Sequence, residues 1–298
     1  MTGPIVDETI VITGATGFIG SHLTRRLVNG NDVHILVRNP DRASALGLDA
    51  SNIHDISSST HPIAGLFEDL QPSMVFHLAT RYERTDPVDP RPMLEANVVF
   101  GTAVLEAAAR IGDCTVVMAG SHFQHADGVP VSLYALSKNL LIEVARYLTA
   151  TRNLSWVETV LYDIYGPRDR RGKLIDTVLD RLLAGQPIQL PERLALHHFV
   201  HVDDAVDALL ASARQLRSTG ESGMSLFATS DKAVTPKEVV EIASTVLGRQ
   251  PILGGSHFQL PPRTPMHPAD GPRPDAWSPT IGLSDGIMTV ARSRTAEP

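Results

Sequence analysis

A single cysteine in 298 residues rules out a disulfide within the chain, and Cys114 sits in the apolar run Cys114-Thr115-Val116-Val117-Met118, which reads as a buried strand. No uninterrupted apolar stretch is long enough to cross a bilayer. Asp7 and Glu8 precede the first apolar run, so no secretory signal is expected there, and the expectation is a soluble cytoplasmic protein. Positive charge is also in short supply. The 26 basic residues stand against 33 acidic ones, for a formal net charge of −7, and they are scattered, which argues against nucleic acid or an anionic membrane as the partner. Internal repeats and low-complexity linkers are absent. What remains is a globular chain, 43% hydrophobic, long enough for a large core plus a smaller appended lobe.

The most informative stretch runs from Thr9 through Ile10-Val11-Ile12-Thr13-Gly14-Ala15-Thr16-Gly17-Phe18-Ile19 to Gly20. A short β-branched run breaks into glycines and resumes as an amphipathic helix through Asn29, in the order strand, phosphate loop, helix. Gly14 suits the tight turn, Gly17 lets the backbone approach a pyrophosphate, and free amides at the helix start face the phosphates. Further strands are expected at Asp32 to Val37, Ser51 to Asp55, Met74 to Thr80, Thr115 to Ala119 and Trp156 to Leu161. Helices are expected near Ile63 to Leu70, Met93 to Ile111 and Ser132 to Thr149. This alternation over the first 162 residues predicts an α/β fold of Rossmann type, with a doubly wound parallel sheet. His77, inside its apolar strand, reads as a hydrogen-bonded core histidine, and no metal site is predicted.

Beyond residue 162 the rhythm changes. A charged loop, Gly166 to Gly172, leads to a helix through Leu183, and Phe199 to Asp204 reads as a short strand entering an Asp-capped helix at 203 to 214. Residues 1–162, with 198–220 returning to them, are expected to form the dinucleotide-binding domain. Residues 163–197 and 221–298, including the proline-rich 261–279, are expected to form a small C-terminal substrate-binding lobe over the crevice.

The end of the second strand is where a nucleotide fold places the group that reads the adenosine ribose. Here Val37 is followed by Arg38, with Arg42 close behind, and a guanidinium suits a ribose 2′-phosphate, so NADPH (NADP+) is the expected cofactor. Tyr134 and Lys138 stand at i and i+4, on one face of one helix. A nearby cation favours phenolate, so Lys138 is expected to lower the Tyr134 pKa toward the working range of a general acid or base. Ser121 arrives from a neighbouring strand end and completes a carbonyl-polarising site.

These residues resemble the extended short-chain dehydrogenase/reductases, the NAD-dependent epimerase/dehydratase family. The resemblance runs through TGATGFIG at 13–20, HLA at 77–79, NVVFGT at 97–102, YALSK at 134–138, YGP at 165–167, HVDDAV at 201–206 and the element from Trp277 to Ile287. Gly120 to Gln124, Pro130 to Tyr134 and Asp163 to Pro167 are most similar to the NDP-4-keto-6-deoxyhexose 4-ketoreductase branch, that of the CDP-abequose and CDP-paratose synthases. The resemblance implies hydride transfer from NADPH to a ketone, with Tyr134 as proton donor, Lys138 on the nicotinamide ribose and Ser121 orienting the carbonyl. It implies cofactor contacts at Gly14, Thr16, Gly17, Phe18, Ile19, Leu78, Ala79, Thr80 and Ile164 besides Arg38, with Asp55 and Ile56 by the adenine. Substrate contacts are implied at Thr80, His122, Phe123, Asp163 and His197.

Three departures from the family pattern bear on the substrate. The segment between Ser121 and Tyr134 is short, Asp163 replaces a more usual Asn, and His197-His198-Phe199 stands where Arg-Asp-Phe often occurs, which removes a cation that commonly binds the phosphate of a sugar nucleotide. Two substrate classes therefore stay open, an NDP-4-keto-6-deoxyhexose and an aromatic polyketide ketone in antibiotic tailoring. The alternatives are an NAD-dependent nucleotide-sugar epimerase or dehydratase, against which Arg38 speaks, and an NADP-sensing regulator, against which Ser121, Tyr134 and Lys138 together speak. A small-molecule ketone is the expected partner, and a homodimer the candidate assembly.

Overall fold

Runs of β-branched residues buried on both faces build a seven-stranded sheet, all of whose pairings are parallel. The computed structural model describes residues 3–57, 63–83, 86–126, 130–191, 195–254 and 269–296, without the side chains at 44, 45, 295 and 296. Strand β1 (Thr9–Thr13) runs into α1 (Phe18–Leu27), then β2 (Asp32–Val37), β3 (Ile53–Asp55), α2 (Ile63–Leu70) and β4 (Met74–His77). Next comes one long helical rod made of α3 (Arg91–Leu94), a π-helical turn (Glu95–Val99) and α4 (Phe100–Ile111). It leads to β5 (Thr115–Ser121), α5 (Leu133–Arg152) and β6 (Ser155–Leu161). The remaining elements are β7 (Asp163–Tyr165), α6 (Leu174–Ala184), β8 (Phe199–His201), α7 (Val202–Thr219), β9 (Met224–Ala228), α8 (Pro236–Leu247) and α9 (Leu283–Ala296).

The strand order is β3-β2-β1-β4-β5-β6-β9, so successive crossovers leave β1 in opposite directions and open a crevice between the C-terminal ends of β1 and β4. Alternation along each strand divides the core. Ile10 and Ile12 pack with Leu23 of α1 and with Val206, Leu209 and Ala213 of α7. Val11, Val75 and Val116 face the other way, onto Phe67 of α2, Leu105 of α4 and Leu141 of α5. A third cluster joins α6, α8 and α9 around Val178, Val239 and Ile287. Cys114 is buried, and burial pushes its thiol up to about 12, which keeps it an unreactive core residue.

Three expectations need correction. The alternation is broken between β2 and β3, where Pro40, Gly47 and Asp49 punctuate the chain and only 3-10 turns form. The cap of α7 is His201, whose Nδ1 accepts from Asp203 N at 3.3 Å; Asp203 lies in the first turn, where its charge suits the helix dipole, and the helix continues to Thr219. Strand β9, assigned above to the lobe, is the edge strand of the main sheet, paired with β6 from Val157↔Met224 to Leu161↔Ala228. Residues 261–268 of the proline-rich stretch lie outside the described residues.

Candidate active site

The crevice is organised by the turn after β1. Gly14 has φ +73°, and a Cβ there would lie 2.6 Å from Ala79 N, so only glycine lets this turn approach the end of β4. Thr13 Oγ1 fastens the same junction, accepting from Ala79 N at 3.2 Å and bonding His77 Nδ1 at 2.9 Å. His77 is thus a core residue, with burial depressing its pKa to about 3. Gly17 caps α1 without a side-chain oxygen, so the first amides of the helix remain available to an anion.

Over this turn lies a cavity of about 750 Å³. Fifteen of the residues singled out from the sequence line it: Gly14, Thr16, Gly17, Phe18, Ile19, Arg38, Ile56, Leu78, Ala79, Thr80, Ser121, Phe123, Tyr134, Lys138 and Ile164. Six of its lining side chains are basic (Arg38, Arg42, Arg81, Lys138, Arg171 and Lys173) and one, Glu95, is acidic. A chain of net charge −7 has gathered cations at one concave surface, an environment that favours a polyanionic ligand. The glycine turn, the open helix start and these cations together fit a dinucleotide.

The chemical groups converge at the inner end. Helix α5 starts where Ser132 Oγ accepts from Ala135 N at 3.2 Å, and its first turns carry Tyr134 and Lys138. Lys138 is buried, and its Nζ donates to Ala119 O at 2.8 Å while lying 5.9 Å from the centre of the Tyr134 ring. Ser121 is held by a capping box, its N–H donating to Gln124 Oε1 at 3.0 Å and its Oγ accepting from Phe123 N at 3.4 Å. The hydroxyls of Ser121 and Thr80 lie beside the Tyr134 phenol and favour its charged form.

The expected direction of the Tyr134 pKa is reversed. Burial, reinforced by the neighbouring Tyr82 phenol, pushes it up to about 12, and the nearby Ser121 and Thr80 hydroxyls only partly offset this. Lys138 does not dominate because it is spent on the Ala119 carbonyl, and burial brings its own pKa down to about 8. At neutral pH this arrangement holds a protonated phenol beside an ammonium.

Four of the predicted residues stand off the cavity wall. Asp55 is exposed and accepts from Ser57 N at 2.8 Å, shaping the turn that presents Ile56. His122 is turned into the protein, stacked on Tyr162 with ring centres 5.0 Å apart, and burial lowers its pKa to about 4. Asp163 and His197 pair with each other, Oδ2 to Nδ1 at 2.9 Å, and the His197 ring stacks on Phe199. His197 therefore does not stand in for the missing phosphate-binding arginine; the loop after β7 places Lys173 and Arg171 on the wall, the latter already paired with Asp169 at 2.7 Å.

Two contributions escaped the sequence reading. Arg171 lies over the Phe18 ring at 4.6 Å and donates to Ile164 O at 2.8 Å, tying the glycine loop to β7. Asn97, in the π turn, is 2% exposed and uses its whole amide: it accepts from Arg81 N at 2.6 Å and Thr80 Oγ1 at 3.2 Å, and donates to Arg81 O at 3.0 Å and Ser137 Oγ at 2.9 Å. It thereby locks the strand end carrying Thr80 to the helix carrying Tyr134. The π turn itself was the missing signal, since NVVFGT reads as ordinary helix.

A dinucleotide fold with a Tyr-Lys pair and a strand-end Ser at its switch point defines the class, and the chain belongs to the NAD dependent epimerase/dehydratase family, whose profile matches residues 10–224. Among relatives, a CDP-abequose synthase from Yersinia pseudotuberculosis is 23% identical over 84% of this chain and 88% of its own length. A UDP-glucose 4-epimerase from Mycolicibacterium smegmatis is 29% identical over 67% of this chain and 71% of its own. Among solved structures, MoeE5 in complex with UDP-glucuronic acid and NAD superposes with a TM-score of 0.79 at 26% identity, covering 96% of this chain and 99% of that one. No helix among the described residues is long and apolar enough to cross a membrane.

Proposed function

We propose that this protein is an NADPH-dependent ketoreductase that reduces the ketone of an NDP-4-keto-6-deoxyhexose to an alcohol. The observation that carries the reading is the Tyr134 phenol, flanked by Ser121 and Thr80 and backed by Lys138, on the wall of a cation-lined cavity. When bound, the dinucleotide supplies hydride to the carbonyl carbon. The chain does the rest. Ser121 and Thr80 orient the carbonyl oxygen, and Tyr134 Oη gives it the proton, a direction suited to a phenol whose raised pKa keeps it protonated. The Lys138 ammonium stabilises the phenolate left behind and holds the nicotinamide ribose. The glycine turn and the start of α1 take the pyrophosphate, and Arg38 with Arg42 takes a ribose 2′-phosphate.

The sugar-nucleotide choice over a polyketide ketone rests on Lys173, a wall cation that an uncharged polycyclic ketone would leave unused, and on the likeness to the CDP-abequose synthase. The test is to follow nicotinamide absorbance with NADPH or NADH and a panel of CDP- and dTDP-4-keto-6-deoxyhexoses and polycyclic ketones. Oxidation of NADPH with a sugar nucleotide is the expected result. Reduction of polycyclic ketones alone would move the substrate class. Interconversion of nucleotide sugars with no net cofactor oxidation would replace the reading by an epimerase, the activity named for the Mycolicibacterium relative.

A further inference from the structure

Strand β6 carries a carboxylate that the proposed chemistry does not use. Glu158 is completely buried, in a strand otherwise filled with Trp156, Val157, Val160 and Leu161. One oxygen, Oε2, accepts from Ser225 Oγ at 2.7 Å and faces His125 Nε2 at 3.0 Å. The other, Oε1, has no hydrogen-bond partner. A lone buried carboxylate oxygen is costly unless a charge answers it.

Besides the His125 ring that faces Oε2, an ammonium lies across the Ala119–Gly120 peptide unit of β5. Glu158 packs so tightly on Gly120 that a Cβ there would overlap the carboxylate, while Lys138 Nζ is bonded to the carbonyl of the adjoining Ala119. The two groups thus grip consecutive residues of β5, immediately before Ser121. Glu158 also acts electrostatically on Lys138 in the direction that favours the ammonium. The ionisable groups facing Lys138 are Tyr134 on its own helix, His77 from β4 and Glu158 from β6, with His125 facing Glu158 from the turn after β5. Burial keeps both Tyr134 and His77 neutral between pH 6 and about 10, which leaves Glu158 as the countercharge.

We propose that Glu158 is a positioning residue for Lys138, a buried carboxylate that keeps the ammonium charged and seated against the Ala119 carbonyl beside Tyr134. This rests on Lys138 belonging to the reaction machinery, but its test does not need turnover. The chain has four lysines, Lys138, Lys173, Lys232 and Lys237, so the full-length protein labelled with 13C at lysine Cε gives few signals, and Lys138→Met assigns the relevant one. The expected result is that Glu158→Gln lowers the Lys138 titration midpoint by about one pH unit, the size of a close charge interaction. Ser225→Ala, which removes a hydrogen bond but leaves the charge, is expected to leave the midpoint in place. An unchanged midpoint in Glu158→Gln, or an equal fall in Ser225→Ala, would overturn the proposal.

If Glu158→Gln does not fold, the reciprocal measurement decides. Coupling between two groups is mutual, so Lys138→Met is expected to raise the titration midpoint of the Glu158 carboxyl, read with 13C at glutamate Cδ. No movement there would overturn the proposal equally. A protein that shows the coupling yet reduces no ketone would refute the ketoreductase reading and leave this one standing.

Discussion

Truncating Asn97 to Ala removes a side chain that touches no ligand yet joins two parts of the candidate site. The loss is four hydrogen bonds: two to the Arg81 backbone, one to Thr80 Oγ1 and one to Ser137 Oγ. At about 1 kcal/mol net for each, the sum is about 4 kcal/mol, and a backbone N–H and C=O left buried without partners would add to it. Arg81 and Thr80 border the cavity, where water can replace part of what is lost, so the expected cost is about 2–4 kcal/mol. Urea denaturation followed by circular dichroism measures it, and the thermal midpoint should fall by about 3–6 °C. Asn97→Asp keeps the acceptor for Arg81 N and discards both donors, so it should fall between Ala and wild type. The variant should also lose turnover beyond its loss of stability at assay temperature, because Thr80 and Tyr134 are no longer held in register. A destabilisation below about 0.5 kcal/mol, the range of ordinary surface substitutions, together with unchanged turnover, would refute the claim that Asn97 joins β4 to α5.

Arg38→Asp should reverse the preference between NADPH and NADH: a charged hydrogen bond to the 2′-phosphate is worth about 1.5–3 kcal/mol, roughly ten- to hundredfold in affinity, and equal titration midpoints for both cofactors in the unmodified protein would refute it. Tyr134→Phe keeps the ring against Tyr82, with ring centres 5.1 Å apart, and removes the proton; cofactor binding should survive while turnover falls by about 10² to 10⁴, and near wild-type rates would place the proton source elsewhere. For Asp163, burial acts to raise the pKa, but the hydrogen bond and charge of His197, with the charges of His122 and Lys173, hold it well below the ordinary carboxylate range. Its contribution to stability is therefore present above the unfolded-state value near 4 and lost as pH falls through the depressed folded value. Asp163→Asn should lower the urea midpoint at pH 7 and flatten its decline below pH 4; parallel pH profiles for the two proteins would contradict this.

What could be read from the sequence was whatever depends on local period and spacing. The run Ile10-Val11-Ile12 before Gly14 and Gly17, the buried strand expected at Met74 to Thr80, and the one-face placement of Tyr134 and Lys138 are all properties of neighbouring residues, and each appears in place, the strand ending three residues early at His77. What depends on distant partners did not show. Nothing local in the strand at Trp156 to Leu161 shows that Gly120, His125 and Ser225 close around Glu158. Met224 to Ala228 is too short to declare which sheet it joins. The Tyr134 pKa went astray because spacing along a helix reveals a nearby cation but not the burial that outweighs it. His197 was matched by position to a phosphate-binding residue, whereas a short hydrogen bond to Asp163, 34 positions earlier, decides where its ring points.

The route by which the main sheet is finished bears on how the protein can be taken apart. The chain leaves after β6, builds α6 and the flanking segments, and returns with α7, whose Val206, Leu209, Leu210, Ala213 and Leu216 cover the face bearing Ile10 and Ile12, before β9 closes the edge beside β6. Thr159 Oγ1 of β6 donates to Ser212 Oγ of α7 at 2.8 Å across the same seam. During synthesis the nucleotide-facing half thus waits with one side covered by α1 alone until more than two hundred residues have left the ribosome. A fragment ending at residue 162 is consequently no autonomous module but a half-covered sheet with a sticky flank. Swapping lobes between relatives to change specificity therefore calls for two cuts, on either side of α7, with the helix left in place.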